Sequence, residues 1–166
     1  MQLRAYCAER LPGVLEYRVA LPQVRVVGET GLDYYWDDAP PSLQQEWFRA
    51  HIEIAKQAGK PLMIHDRDAH DDILRILDAD GPPERVVFHC FSGDADMAKR
   101  CAAAPAELIL AETDSPYLTP MPYRGRPNTP AMAAHTVRCL AEVKQISVAD
   151  MCALITANGE RMFGSW

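Results

Sequence analysis

The sequence predicts an α/β fold in which parallel strands are joined by helical crossovers. Short apolar runs alternate with longer amphipathic stretches along the 166 residues, an order typical of repeated strand–helix–strand units. The runs are continuously apolar rather than alternating, as expected for strands that are buried on both faces. Four runs carry this pattern, at 24–27, 61–64, 85–88 and 107–111.

The first run, VRVV at 24–27, is followed by Gly-Glu and then by a stretch with helical spacing over 42–58. Ser42 is the expected N-cap of this helix, because Gln45 stands three residues later as in a capping box. Gly59 is expected to end the helix, since glycine readily takes the left-handed conformation found there.

The second and third runs stop immediately before His65 and His89. Between them a short amphipathic stretch predicts a helix over 71–77. The cluster Gly-Pro-Pro at 81–83 is expected to close that helix, because these residues break regular structure.

The fourth run, ELILA at 107–111, leads into Glu-Thr-Asp and then into a long loop over 116–130, which is rich in proline. Proline removes a backbone donor, so this loop is not expected to form a helix or a central strand. Helices are predicted at both ends of the chain and before the fourth run, over 3–10, 13–21, 94–104, 130–144 and 148–163.

Composition limits the class of protein. The length suits one domain over 1–166, and the net charge of −6 argues against a broad basic face for gripping nucleic acid. The five cysteines contain no Cys-x-x-Cys, so disulfides and a zinc–thiolate cluster are not expected. No apolar run approaches the roughly 20 residues that span a bilayer, and residues 1–20 do not resemble a signal peptide. We therefore expect a cytoplasmic protein.

Each of the four predicted strands is followed by a residue that can bind a metal: Glu29, His65, His89 and Asp114. The carboxyl ends of parallel strands lie at one edge of a sheet, so these side chains should converge. Taken singly, each is better explained as a turn carboxylate, a packed histidine or a helix cap. Their coincidence at four strands favours a shared divalent cation, which relieves carboxylate repulsion and lowers the pKa of bound water. The mixed donor set fits Mg²⁺, Mn²⁺ or Zn²⁺.

Four strings resemble, in content and order, the successive signatures of the TatD-related deoxyribonuclease family. They are GETGLDYYW (28–36), IHDR (64–67), FHCFSG (88–93) and ETDSPYLTPMPYRGRPNTP (112–130). The last two strings are the most specific, and the resemblance covers roughly residues 20–166. It implies a TIM-like (β/α) barrel and a metal-dependent hydrolase that cleaves phosphodiester bonds.

The resemblance also implies roles for the metal-binding residues. Glu29 would bridge two metal ions, His65 and His89 would bind one of them, and Asp114 would bind the other and act as general base. Residues placed to meet a phosphate are three arginines and one amide: Arg67, Arg124, Arg126 and Asn128. The aromatic run 34–36 would either stack on a base or pack beneath the loop, and packing is the favoured role.

The chain departs from the family pattern in two places. The family begins with a His-x-His on its first strand, whereas no two of the five histidines here are separated by a single residue. An internal strand–helix unit is also missing near Ala104–Pro105. A partial barrel with fewer than eight strands is therefore expected, as if segments had been deleted from a full-length ancestor. Such a chain should bind one divalent ion weakly and show reduced hydrolysis.

The leading functional prediction is hydrolysis of a phosphodiester, with DNA as the partner. Two alternatives stay open: a non-catalytic or unstable remnant of such an enzyme, and a metal-dependent hydrolase of amides or esters on the same barrel. Fold and metal alone do not fix the substrate. The oligomeric state is not predicted.

Overall fold

A computed structural model describes residues 14–36, 38–89 and 104–165. The chain divides into two compact units, Met1–Ser92 and Gly93–Trp166. The single domain that we expected stays a prediction.

Two of the predicted helices fall outside the described residues. These are the helix over 3–10 and, except for its last residue, the helix over 94–104. No helix in the described part of the chain is both long enough and apolar enough to cross a membrane.

The first unit is built as strand–helix–strand repeats, as the sequence predicts. Its three strands form one parallel sheet in the order β1-β2-β3. Helical crossovers connect them, which confirms the α/β class and fits part of a TIM-like barrel. The elements are α1 Val14–Ala20, β1 Val27–Asp33, α2 Pro41–Ala58, β2 Leu62–Arg67, α3 His70–Asp80 and β3 Val86–Phe88.

The core of the first unit lies between the sheet and the two longer helices. Phe48 and Ile52 of α2 and Ile73 of α3 are fully buried, as are Leu32 of β1 and Ile64 of β2. Burial of each such side chain contributes about 1.5–3 kcal/mol. This packing fixes the strands that carry the candidate site.

Helix α2 begins differently from the prediction and ends as predicted. Its N-cap is Pro40, which makes no side-chain capping hydrogen bond, so the capping box of Ser42 and Gln45 is wrong. A proline in the first turn needs no amide partner, and the Gln45 amide donates instead to the Tyr34 hydroxyl, 2.7 Å away. Gly59 ends the helix in the left-handed conformation at φ 62°.

The first apolar run predicted a strand that ends before Glu29. In the structure, β1 continues past this residue. It begins at Val27 and continues to Asp33. Val27 pairs with Leu62 whereas Thr30 pairs with Ile64, so β1 uses three steps where β2 uses two. An extra residue of this kind forms a bulge that redirects the neighbouring side chain.

Gly28, which the sequence placed just after the first strand, lies inside β1 together with Gly31. Gly28 and Gly31 have φ values of 150° and 137°, where side-chain-bearing residues are strained. A Cβ on Gly28 would lie 2.7 Å from the Met63 carbonyl oxygen. The glycines therefore allow β1 to approach β2 closely while remaining in the sheet.

The described part of the second unit consists of helices and loops. It contains two short 3₁₀ turns, Ala106–Leu108 and Pro130–Met132, and two helices, α4 Ala133–Lys144 and α5 Val148–Phe163. These helices confirm the two predicted at the end of the chain. Residues 116–129 carry no helix or strand, as predicted for the proline-rich loop.

The fourth predicted strand, at 107–111, is wrong. A 3₁₀ turn occupies its first half, and the following residues pair with no strand in the described part of the chain. The Nδ2 of Asn158 in α5 donates to the carbonyls of Ala106 at 2.9 Å and Ile109 at 2.7 Å, and the Ala106 carbonyl also accepts from the Ile109 amide at 3.2 Å. A side chain thus satisfies carbonyls that a neighbouring strand would otherwise satisfy.

Candidate metal centre

Three of the predicted metal-binding residues come together at one end of the sheet. Glu29 lies in β1, His65 lies in β2, and His89 follows the last residue of β3. One ligand atom from each side chain lies within 4.8 Å of the others. Glu29 Oε1 is 2.7 Å from His65 Nδ1 and 3.0 Å from His89 Nε2. One carboxylate oxygen therefore faces two imidazole nitrogens.

The strand register explains this convergence. His65 pairs with Gly31, two residues after Glu29, and Phe88 pairs with Ile64. The amide of His89 donates to the Ile64 carbonyl at 3.0 Å, which holds the chain in place as it leaves β3. Glu29 and His65 were predicted at strand ends but lie inside their strands, so the convergence depends on register and on the bulge in β1.

The electrostatics of the cluster keep its carboxylate ionised. The hydrogen bond from His65, helped by the neighbouring His89, lowers the pKa of Glu29 from 4.5 to about 2. The same hydrogen bond raises the pKa of His65, with a smaller contribution from Asp33. A carboxylate and two imidazoles form a donor set suited to a borderline divalent cation. The three residues present therefore fit a metal ion.

Sequence reasoning missed a fourth side chain at this site. Asp33, the last residue of β1, places Oδ2 3.0 Å from His65 Nε2. Its side chain is only 10% exposed. The available signal was its spacing, since residues four apart on a strand share a face and Glu29 is four residues earlier.

Arg67, a predicted phosphate contact, lies in β2 two residues after His65. Its guanidinium carbon sits 3.9 Å from the ring centroid of Tyr35 and 5.8 Å from that of Trp36. Both aromatic side chains are more than half exposed, so the favoured packing role is wrong for Tyr35 and Trp36. Tyr34 is packed as expected, because its hydroxyl donates to Asp72 Oδ2 at 2.7 Å.

Asp114 lies in the second unit and does not follow a strand, contrary to the sequence prediction. It occupies a turn with φ 52°, and its carbonyl accepts a hydrogen bond from the Tyr117 amide at 2.9 Å. The error follows from the incorrect fourth strand. A role for Asp114 in metal binding or as general base stays a prediction.

A contact between Asn128 and substrate stays a prediction, and in the structure the side chain is buried within the loop. Asn128 is 4% exposed, and its Nδ2 donates to the carbonyls of Thr113, at 2.6 Å, and of Tyr117. Its donors therefore hold the loop together. Arg124 and Arg126 are exposed, and their contact with a phosphate stays a prediction.

The other three histidines are partly buried. His51 Nδ1 is 2.9 Å from Thr30 Oγ1, and burial lowers the pKa of this histidine. His70 Nδ1 is 2.7 Å from Asp66 Oδ2. The ring of His135 packs edge-on against Tyr123. None of the three belongs to the metal-binding group found among the described residues.

The fold and the cluster define an α/β protein with a candidate metal centre at one end of its parallel sheet. The family model described as TatD related DNase matches residues 5–105 and 101–164. The chain therefore belongs to the TatD-related DNase family, as the sequence motifs predicted. The two matched segments meet near Ala104–Pro105, where the sequence suggested a missing unit.

Curated relatives support the same family. The chain is 42% identical over 180 residues to a protein of Mycobacterium tuberculosis named uncharacterized metal-dependent hydrolase TatD, covering 90% of this chain and 68% of the relative. It is 35% identical over 168 residues to the uncharacterized metal-dependent hydrolase YabD of Bacillus subtilis, covering 85% and 66%. The chain thus spans about two thirds of the length of these relatives.

Solved structures resemble the chain in fold. The crystal structure of YJJV, a TatD homologue from Escherichia coli K12, matches with a TM-score of 0.82 and 25% identity over 92% of this chain and 69% of its own. A TatD-family hydrolase from Entamoeba histolytica matches with a TM-score of 0.73 and 18% identity, over 86% and 64%. The second likeness shows the fold alone.

Proposed function

We propose that this chain binds one divalent metal ion and hydrolyses phosphodiester bonds in DNA. The observation that carries the proposal is the cluster of Glu29, His65 and His89, whose ligand atoms lie within 4.8 Å of one another. The description of the family as DNases and the naming of two relatives as metal-dependent hydrolases support the proposal.

Each residue of the cluster has a defined task in this proposal. Glu29 supplies a carboxylate that stays ionised well below neutral pH, because its pKa is lowered to about 2. His65 and His89 supply neutral nitrogen ligands, so His65 must lose the proton that Glu29 stabilises. A bound divalent ion would lower the pKa of a water molecule and polarise a phosphoryl oxygen.

Arg67 is proposed to neutralise the phosphate. A guanidinium can donate two parallel hydrogen bonds to phosphate oxygens, and the ring of Tyr35, 3.9 Å away, restricts its orientation. The exposed faces of Tyr35 and Trp36 offer a surface on which a base can stack. The family resemblance supports three further roles in the proposal. Arg124 and Arg126 would contact the phosphate, and Asp114 would act as general base.

Two substrates test this function: a single-stranded oligonucleotide and bis(p-nitrophenyl) phosphate, each with Mg²⁺, Mn²⁺ or Zn²⁺. His65→Ala should reduce the rate by at least about 100-fold, the upper range for loss of a residue that merely supports a metal ligand. His70→Ala is the matched control, since His70 pairs with Asp66 outside the cluster. Asp114→Asn tests the general base. Equal rates for wild type and His65→Ala would contradict the proposal.

A second candidate function is metal binding without catalysis. The observation that favours it is the absence of any His-x-His from the sequence, which removes two ligands of a second metal ion. This candidate predicts stoichiometric binding of a metal ion with no turnover of either phosphodiester. Turnover of p-nitrophenyl acetate or of a lactone, without phosphodiester cleavage, would instead indicate an ester hydrolase.

The remaining expectations stay proposals. DNA or another phosphodiester is the proposed partner, and the cytoplasm is the proposed location.

A further inference from the structure

We propose that Asp33 is a positioning residue for the metal ligand His65. Its Oδ2 accepts the Nε2–H of the imidazole, which leaves Nδ1 as the nitrogen that binds the metal beside Glu29 and His89. This inference rests on the proposed metal site and adds a residue that acts through a ligand.

The position of the ring decides which nitrogen takes which role. His65 Nδ1 lies 2.7 Å from Glu29 Oε1, and the same oxygen lies 3.0 Å from His89 Nε2. Nδ1 is therefore on the side of the cluster, whereas Nε2 faces Asp33 at 3.0 Å. A neutral imidazole carries one proton on one of its two nitrogens. Only the form protonated on Nε2 has an Nδ1 lone pair for a metal.

Asp33 is itself held rigidly. Its Oδ1 accepts a hydrogen bond from the Tyr35 amide at 3.1 Å. The side chain of Gln44 brackets its backbone, accepting from the Asp33 amide at 2.9 Å and donating to the Asp33 carbonyl at 3.0 Å. The carboxylate is 10% exposed, against 36% for Glu29. A fixed and partly buried acceptor orients a donor more strongly than a mobile, solvated one.

The strand pairing places the ring between the two carboxylates. His65 pairs with Gly31 on β1, and Glu29 and Asp33 stand two residues before and two residues after that glycine. Alternate residues of a strand share a face, and Gly31 lets β1 approach the His65 backbone closely, because an added Cβ would press against the His65 carbonyl. A carboxylate that holds the second nitrogen of a metal-bound histidine commonly supports the affinity of the site.

Metal affinity gives the first test. Asp33→Asn keeps the size of the side chain and an oxygen for the Tyr35 amide but removes the carboxylate that accepts from His65. It should weaken binding of Mn²⁺ or Zn²⁺ by about 10–100-fold, measured by calorimetric titration and by the visible spectrum of bound Co²⁺. Asp66→Asn is the matched control, because Asp66 pairs with His70, which is outside the cluster. An equal affinity in the two variants would overturn the inference.

The proton position gives a second test that needs no metal. In Glu29→Gln the charged carboxylate on the Nδ1 side is removed, so Asp33 alone should hold the neutral ring with its proton on Nε2. The ¹⁵N shifts of the His65 ring report the tautomer directly. Adding Asp33→Asn should shift the population toward the Nδ1–H form. A ring protonated on Nδ1 in Glu29→Gln would overturn the inference.

The two measurements separate failure of this inference from failure of the proposed function. If wild type binds a metal but Asp33→Asn binds it equally well, the metal site stands and the role of Asp33 falls. If wild type binds no metal while the Glu29→Gln ring is protonated on Nε2, Asp33 still positions His65 and the proposed function falls. Thermal unfolding of each variant checks that it is folded.

Discussion

Substitution of Gly31 by alanine should damage both the fold and the metal centre. An added Cβ would press against the carbonyl of His65, and φ is 137° at this position. Backbone strain of this kind costs about 1–3 kcal/mol, and overpacking costs about 1–3 kcal/mol more. We therefore expect Gly31→Ala to lower the free energy of unfolding by about 2–6 kcal/mol. Because β1 must move away from β2, metal affinity should fall as well.

Gly59→Ala is the matched control for Gly31→Ala. Gly59 also has positive φ, 62°, but an added Cβ there meets nothing within 4 Å. Only the left-handed conformation is penalised, by about 1–2 kcal/mol. Urea unfolding and calorimetric metal titration of both variants provide the comparison. Equal destabilisation by the two substitutions, with unchanged metal affinity, would refute the close approach of β1 to β2 as the basis of the site.

Three further predictions follow from individual contacts. Because their hydrogen bond raises the pKa of His65 above 6.5 and lowers that of Glu29 below 4.5, the pair should stabilise the metal-free protein most between about pH 4.5 and 6.5. This contribution should fade as pH rises through the raised pKa of His65 or falls below 4.5. His65→Gln should therefore reduce the pH dependence of the free energy of unfolding, measured by urea unfolding at each pH. Metal affinity should instead rise with pH, because His65 must lose its proton. Asn158→Ala should cost about 1–3 kcal/mol in urea unfolding, since the Ile109 carbonyl loses its side-chain donor and the Ala106 carbonyl keeps only the Ile109 amide; exposed Thr156→Ala should cost less. Arg67→Lys should slow DNA cleavage but leave calorimetric metal affinity unchanged, because lysine cannot donate two parallel hydrogen bonds to a phosphate.

The sequence predicted those parts of the fold that depend on local patterns. Continuous apolar runs placed β2 and β3, and helical periodicity placed α2, α3 and the two C-terminal helices. Gly59 was correctly predicted as a helix end because its left-handed conformation is a local property. The convergence of Glu29, His65 and His89 was predicted because parallel strands bring their carboxyl ends to one edge of the sheet.

Other features depend on contacts between distant residues and were not predictable from local pattern. The fourth run, 107–111, has a strand-like composition, but Asn158 donates to the carbonyls of Ile109 and of the preceding Ala106 from a helix about fifty residues later. The expected N-cap Ser42 was displaced because Pro40 is the N-cap and Pro41 begins the first turn of α2. The spacing of Glu29 and Asp33 indicated a shared face, but only the register that places His65 opposite Gly31 brings the Asp33 carboxylate to the imidazole.

The most direct test of the account is a calorimetric titration of the purified, metal-free chain with Mn²⁺ or Zn²⁺. The cluster predicts saturable binding of one ion per chain, which His89→Ala should abolish or weaken by at least about 100-fold and His51→Ala should leave unchanged. Absence of binding by the folded wild type, or equal binding by wild type and His89→Ala, would contradict the metal centre.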